Sequence, residues 1–121
     1  MESILTSIKK LLGIAEEYTH FDADIIMHIN SVFSILTQIG VGPSEGFSIK
    51  DSYAVWTDFL PEDTRLEAVK SYVYLKVKLL FDPPDRSAVM EATNRMISEL
   101  EFRLSVMVDP YQDPKEEIYR Y

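Results

Sequence analysis

The sequence contains no cysteine and only two histidines among its 121 residues. Without cysteine the chain cannot build a disulfide framework, use a thiolate nucleophile or bind a metal through sulfur. It has only four glycines, and three of them, Gly40, Gly42 and Gly46, stand close together around Pro43. This cluster predicts a loop, and it lacks the lysine of a phosphate-binding loop. The sequence also lacks a nucleophile elbow and an HExxH motif, so we expect no enzyme, no cofactor and no catalytic residue.

Long apolar runs and basic charge are also scarce. No run approaches the roughly 18 residues needed to span a membrane, and the N-terminus shows no hydrophobic segment of a signal peptide. We therefore expect a soluble protein made in the cytoplasm, with no membrane partner. The 12 basic residues are outnumbered by 20 acidic ones, which gives a formal net charge of -8. Because binding to DNA phosphates requires lysine and arginine, this charge disfavours simple nucleic-acid binding but permits a position beside DNA without adhesion.

The two histidines are the candidates for a metal or catalytic site. Asp24 lies four residues from each of His20 and His28, so all three would share one face of a helix that began before His20. Asp22 or Thr19, however, suits the N-terminal cap of this helix, which would leave His20 outside. We therefore predict no metal ligand, with a half-buried structural His28 and a solvated His20.

The residues that are present predict one all-α domain. Hydrophobic residues make up 46% of the chain, enough for a single core without disulfides. Apolar periodicity predicts a small bundle of four main helices, at about 2–12, 22–39, 62–82 and 86–108. A short helix or turn is expected at 51–59, where Trp56 and Phe59 would plug one end of the bundle. Residues 1–108 would thus form the helical bundle.

The third main helix is expected to be the central one. Five of its apolar residues fall within one sector of the helix, namely Leu66, Val69, Val73, Val77 and Leu80. Tyr72, Leu75 and Leu79 form a second apolar strip beside the first. A helix that is apolar over about half its circumference must touch more than one neighbour.

The last helix carries a candidate subunit contact. Its core stripe is predicted from five residues, Val89, Met96, Leu100, Leu104 and Met107. Phe102 and Val106 lie off this stripe, on the side that also carries Arg95 and Glu99. An apolar pair on a polar face is typical of a contact between subunits, although packing under the C-terminal tail or the N-terminal helix is the alternative.

Residues 109–121, DPYQDPKEEIYRY, show no periodicity and predict an extended tail that is ordered only on a partner. Tyrosines add contact area at a small cost in side-chain entropy, so three of them in this tail favour docking over an end without a role.

Several segments in this order resemble a known family. They are ILTSIKKLLGI, FDADIIMHINSVFSILTQIGVGP, GFSI, the tryptophan of VWTDFL, and VKSYVYLKVKLLFDPP. Together they cover roughly residues 3–108 and are similar to the small head-tail connector (adaptor) proteins of long-tailed phages and prophages of Gram-positive bacteria. No single motif is diagnostic, but the combination and its spacing are characteristic.

The resemblance implies a structural virion protein without an active site. Such adaptors form a homo-oligomeric ring, usually a dodecamer, beneath the portal protein, extend the DNA channel and offer a platform for a stopper or tail-completion protein. DNA passes through the channel without specific binding. A C-terminal segment of the family commonly reaches the portal, so Tyr111, Ile118, Tyr119 and Tyr121 become candidate portal-docking residues by position. The alternative is a soluble helical regulator that binds one protein partner.

Overall fold

The computed structural model of the chain describes residues 2–61 and 64–108. These residues form five helices, α1 (Ile4–Leu11), α2 (Asp22–Ile39), α3 (Trp56–Phe59), α4 (Thr64–Phe81) and α5 (Ser87–Val108). The described part of the chain contains no strand, and its single isolated β-bridge joins Ser3 to Val55. The predicted all-α bundle is therefore confirmed. Residues 62–63 of the expected third main helix and the expected tail at 109–121 lie outside the described residues.

The ends of the first two helices follow from their flanking residues. The Ser3 side chain caps α1 by accepting a hydrogen bond from the backbone N–H of Thr6 at 3.2 Å. Gly40 ends α2 in the left-handed conformation, with φ of 100°, which glycine adopts without the Cβ clash of other residues. Its N–H donates to the carbonyls of Leu36 and Thr37 and so satisfies acceptors in the last turn.

Two helices share the centre of the bundle. As predicted, α4 touches more than one neighbour, since it packs against both α2 and α5. The α2 helix contacts α1, α4 and α5, so it is as central as α4. The buried side chains that join these two helices are Ile25, Ile29, Val32, Phe33 and Leu36 from α2 and Leu66, Val69, Tyr72, Val73 and Val77 from α4.

Leu80 corrects the predicted core stripe of α4. Its side chain is 52% exposed, although helical spacing aligns it with the buried Val73 and Val77. Leu80 lies in the last turn of α4, where Phe81 contacts the residue that precedes α2. The Phe81 ring packs edge-on against Phe21 at 5.3 Å between ring centroids. A helix end extends past part of its neighbours, so periodicity alone assigned Leu80 to the core wrongly.

The buried face of α5 is also rotated from the predicted one. Val89 and Met96 of the expected stripe are 44% and 53% exposed, whereas Leu104 of that stripe is buried as predicted, together with Ile97, which was expected only to flank it. The face that meets α4 includes Glu101, whose carboxylate accepts a 2.7 Å hydrogen bond from the buried hydroxyl of Tyr72. The apolar sector of α5 is wider than its contact with α4, so the sequence did not determine which part of the sector is covered.

The loop after α2 is fixed by one side chain. Asn30 donates from Nδ2 to the carbonyl of Ile49 at 2.9 Å and accepts from the Ile49 N–H at 2.8 Å. Both polar groups of the buried Ile49 backbone are therefore satisfied by α2. This pair of bonds holds the loop against the bundle.

Trp56 and Phe59 lie in the core, as predicted, with 1% and 2% of their surface exposed. The Phe33 ring from α2 lies 4.6 Å from the Phe59 ring and 6.3 Å from the Trp56 ring, measured between centroids. The Trp56 Nε1–H donates to Ser7 Oγ of α1 at 2.9 Å, so the one polar atom of the indole is satisfied. The short helix α3 thereby links α1 and α2.

The connection between α1 and α2 contains an arrangement that the sequence analysis missed. Lys9 of α1 is only 2% exposed, and its ammonium donates to the carbonyls of Glu16 and Tyr18 at 2.9 and 2.8 Å. The same ammonium lies 2.8 Å from Oδ1 of Asp22. The expectation that Asp22 or Thr19 caps α2 was wrong, because Asp22 is the first helical residue and no side chain caps this end. Asp22 instead forms the ion pair.

Candidate interaction surfaces

An exposed apolar pair of α5, Phe102 and Val106, lies on the side opposite the core contact of this helix. Phe102 is 68% exposed and Val106 is 47% exposed, while Leu104 between them is fully buried. Two residues along a helix turn the side chain by about 200°, so Phe102 and Val106 point away from the bundle. The exposure also shows that the N-terminal helix does not cover them. The pair is bordered by the ion pair of Arg103 with Glu99 at 2.7 Å.

The outward side of α2 is a second distinctive surface. One of the six exposed residues of α2 is charged, namely Asp24, and the other five are uncharged, namely Ala23, Met27, Ser31, Ser34 and Gln38. We call this set the α2 outer face. Met27 is its largest apolar member and is 57% exposed. Asp24 lies at one edge. Because α2 contains no lysine or arginine, an uncharged to acidic outer face of this helix is readable from the sequence alone.

The two histidines occupy different environments. His28 is half-buried beside Leu79, in a shallow groove between α2 and α4 that Lys76 also lines. His20 is exposed in the turn before α2, with its ring 4.8 Å from that of Phe21 between centroids. Because α2 begins at Asp22, His20 does not share a helical face with Asp24. No group of three or more potential metal ligands occurs within residues 2–61 and 64–108.

Among the residues that the structure describes, Tyr72 has a clearly shifted pKa. Burial raises the pKa of its hydroxyl far above the ordinary value, and the hydrogen bond to Glu101 and the negative charge of Glu101 raise it further. The Tyr72 hydroxyl is therefore a permanent donor that joins α4 to α5. This role is structural, since the pair lies in the contact between two helices.

The candidate portal-docking residues Tyr111, Ile118, Tyr119 and Tyr121 lie outside the described residues. Among the helices that are described, none has the length and hydropathy that crossing a bilayer requires.

Comparison with protein families gives one match that covers nearly the whole chain. The model of the phage connector protein family matches residues 4–111. The chain belongs to the phage connector protein family. The match includes all five helices and ends at Tyr111. Neither the curated proteins nor the solved structures contain a significant match to this chain.

Family membership fixes the broad role of the protein. Phage connectors are structural proteins of the virion, so this chain is a virion component that assembles with other phage proteins and is not an enzyme. Interaction surfaces therefore carry its function. The connector role is favoured over the alternative of a soluble regulator.

Proposed function

We propose that this phage connector is a ring-forming adaptor at the head-tail interface, beneath the portal. A homo-oligomeric ring, in our proposal a dodecamer, would extend the DNA channel and offer a platform for the stopper or tail-completion protein. The observation that carries the proposal is the exposed apolar pair Phe102 and Val106, which is directed away from the core. The chain belongs to a family of proteins that assemble with other phage proteins. Desolvating such an apolar pair on a neighbouring copy stabilises a contact between subunits.

The charge of the chain supports a position along the DNA path. A formal net charge of -8 gives a ring of copies a strongly negative character. Like charge keeps a passing duplex from adhering, because binding to phosphates depends on basic side chains. An acidic channel wall therefore suits DNA passage without specific binding.

The C-terminal tail is the proposed contact with the portal. Residues 109–121 follow α5 directly and contain Tyr111, Ile118, Tyr119 and Tyr121, four side chains suited to anchoring on a partner. In this proposal residues 1–108 form the bundle and the tail becomes ordered on the portal. Many simultaneous contacts around a ring convert a modest affinity of each tail into stable attachment.

Electron microscopy of the purified chain, alone and mixed with the portal protein of the same phage, tests the ring. We expect rings for the natural chain, and we expect Phe102→Ser to lose them because it removes the largest apolar side chain of the contact. Tyr53→Ser is the matched control, since Tyr53 is an aromatic residue that is 85% exposed in a loop. Particles that stay monomeric even with the portal would contradict the proposal.

A chain that ends at Val108 tests the tail separately. We expect this shortened chain to keep the helical circular dichroism of the natural chain and to lose its association with the portal in a pull-down. Unchanged association would show that the portal contact lies in the bundle, while leaving the ring proposal intact.

A further inference from the structure

The subunit contact proposed above requires a second surface. Copies in a ring meet through unlike surfaces, so Phe102 and Val106 must pack against a different part of the neighbouring copy. In a ring of many copies these two surfaces lie on nearly opposite sides of each subunit. The following inference rests on the proposed ring and identifies the counterpart of the α5 pair.

The α2 outer face lies on another side of the bundle from the α5 pair. The α4 helix packs against both α2 and α5, whereas α2 and α5 touch each other less. Met27 is two residues from both Ile25 and Ile29, which are fully buried, so its side chain points about 160° away from theirs. The two surfaces therefore lie on two different helices, and each is directed away from the buried side of its own helix.

The composition of the two surfaces is complementary. Ser31 and Ser34 are small enough for a neighbouring helix to approach closely, and a methionine thioether makes favourable contacts with an aromatic ring such as that of Phe102. The absence of charged residues in the α2 outer face also matters, because each copy carries a net charge of -8. A contact through uncharged residues avoids placing carboxylates of two copies against each other.

Two unpaired charges of opposite sign border these surfaces. Arg95 on the outward side of α5 and Asp24 at the edge of the α2 outer face have no ion-pair partner within the described chain. Seven residues separate Arg95 from Phe102, and seven separate Asp24 from Ser31, which is about 10 Å along a helix in both cases. If α5 of one copy and α2 of the next lie side by side and run in the same direction, Arg95 meets Asp24 and Phe102 meets Ser31 at the same time.

The directions of the helices agree with this register. The start of α2 meets the end of α4 through Phe21 and Phe81, so these helices are antiparallel. The α4 and α5 helices are joined by the short connection 82–86 and pack against each other, so they are antiparallel as well. Within one copy α2 and α5 therefore run in the same direction. Rotation about a ring axis parallel to the helices preserves this direction in the neighbour.

We propose that Phe102 and Val106 of one copy pack on the α2 outer face of the next, with Phe102 at Ser31, between Met27 and Ser34. The occupant of the α2 outer face is thus a second copy of this chain. Arg95 pairs with Asp24 of the neighbour at the edge of the contact. Repetition of this one contact closes the ring.

Engineered cysteines give a direct test, because the natural chain has none. In ring preparations we expect the double variant Asp24→Cys/Arg95→Cys, which keeps Phe102 and Met27, to give a ladder of crosslinked multimers when it is treated with a short bis-maleimide. Neither single variant should crosslink alone, and a mixture of the two should give dimers only. The double variant Tyr53→Cys/Arg95→Cys is the matched control and should form rings but give no ladder.

A charge placed in the α2 outer face provides a second test without crosslinking. We expect Ser34→Glu to reduce the number of rings on the order of tenfold, because a buried, unpaired carboxylate opposes the contact. Ser52→Glu adds the same charge at another exposed serine, outside the helices, and should leave rings unchanged. Both variants should keep the helical circular dichroism of the natural chain.

The outcomes separate this inference from the proposed function. Rings that form normally but give no ladder, or that tolerate Ser34→Glu, would overturn the assigned contact and leave the ring adaptor standing. Crosslinking within the single variant Arg95→Cys would show that the outward side of α5 meets the same side of α5 in the neighbouring copy instead. A complete absence of rings, with and without the portal, would overturn both proposals.

Discussion

The Lys9 ammonium lies 2.8 Å from the Asp22 carboxylate and joins the last turn of α1 to the first turn of α2. Lys9 is nearly completely buried, and its remaining donors bond the carbonyls of Glu16 and Tyr18 in the intervening connection. One side chain therefore holds a segment of the chain that has no helix of its own. Burying a charge is unfavourable unless it is paired and hydrogen-bonded, and here both conditions are met.

Removing this ammonium should destabilise the bundle. We expect Lys9→Met to lower the free energy of unfolding by about 3 kcal/mol, because it leaves Asp22 and two carbonyls without their partner. The neighbouring Lys10→Met is the matched control, since Lys10 is exposed, and it should cost less than about 0.5 kcal/mol. Urea denaturation followed by circular dichroism gives both values. Equal losses in the two variants would show that the Lys9 contacts contribute little.

The Tyr72–Glu101 hydrogen bond predicts a dependence of stability on alkaline pH. The unfolded hydroxyl ionises near pH 10, whereas the folded pKa is raised, so the folded state keeps a proton that the unfolded state releases. The stabilisation is therefore complete below pH 10 and is lost as pH rises beyond it. We expect the natural chain to lose stability more steeply above pH 10 than Tyr72→Phe.

At neutral pH the same substitution should cost about 2 kcal/mol, because the partner of the lost hydroxyl is a carboxylate. Tyr53→Phe is the control, since Tyr53 is exposed and should change neither the neutral value nor the alkaline slope. Thermal unfolding between pH 8 and 11 measures both effects. Parallel curves for Tyr72→Phe and the natural chain would contradict the assigned role.

Glycine is required at position 42 by the backbone conformation and by the nearby Phe59 ring. Its φ is 87°, and an added Cβ would lie within 2.6 Å of Cζ in the Phe59 ring. We expect Gly42→Ala to destabilise the chain by about 3 kcal/mol, from backbone strain and overlap with the ring together. Gly46→Ala isolates the backbone part, since Gly46 has φ of 97° but open space around it, and it should cost about 1 kcal/mol. Denaturant titrations measure the free energy of unfolding of both variants. Equal losses for Gly42→Ala and Gly46→Ala would mean that the Phe59 ring moves aside freely.

The Asn30 contact should control the opening of the loop between α2 and α3. Asn30→Ala leaves the buried N–H and carbonyl of Ile49 without a partner, which we expect to cost about 2 kcal/mol. Hydrogen exchange of the Ile49 amide should accelerate more than that of amides in α4, because the opening is local. Asn94→Ala changes an exposed asparagine of α5 and should leave exchange at Ile49 unaltered. Unchanged exchange at Ile49 in Asn30→Ala would refute the assigned contact.

The sequence by itself determined the number and type of the elements. Strong apolar periodicity located the four main helices. The end of α2 was predictable because Gly40 readily adopts the left-handed conformation that terminates a helix. It also assigned Trp56 and Phe59 to the core correctly. These features depend on neighbours in the chain, so local rules suffice for them.

Tertiary structure decided which part of each apolar surface is covered. The buried face of α5 is centred nearer Ile97 than the predicted stripe, and Leu80 is exposed where burial was predicted. Burial depends on where a neighbouring helix lies and not on spacing along one helix. The same reason explains Lys9, which shares the apolar sector of α1 with Leu5 and is buried because acceptors from a distant segment meet it. The exposed state of Phe102 and Met27, on which the interaction surfaces rest, likewise follows from the positions of α2, α4 and α5 together.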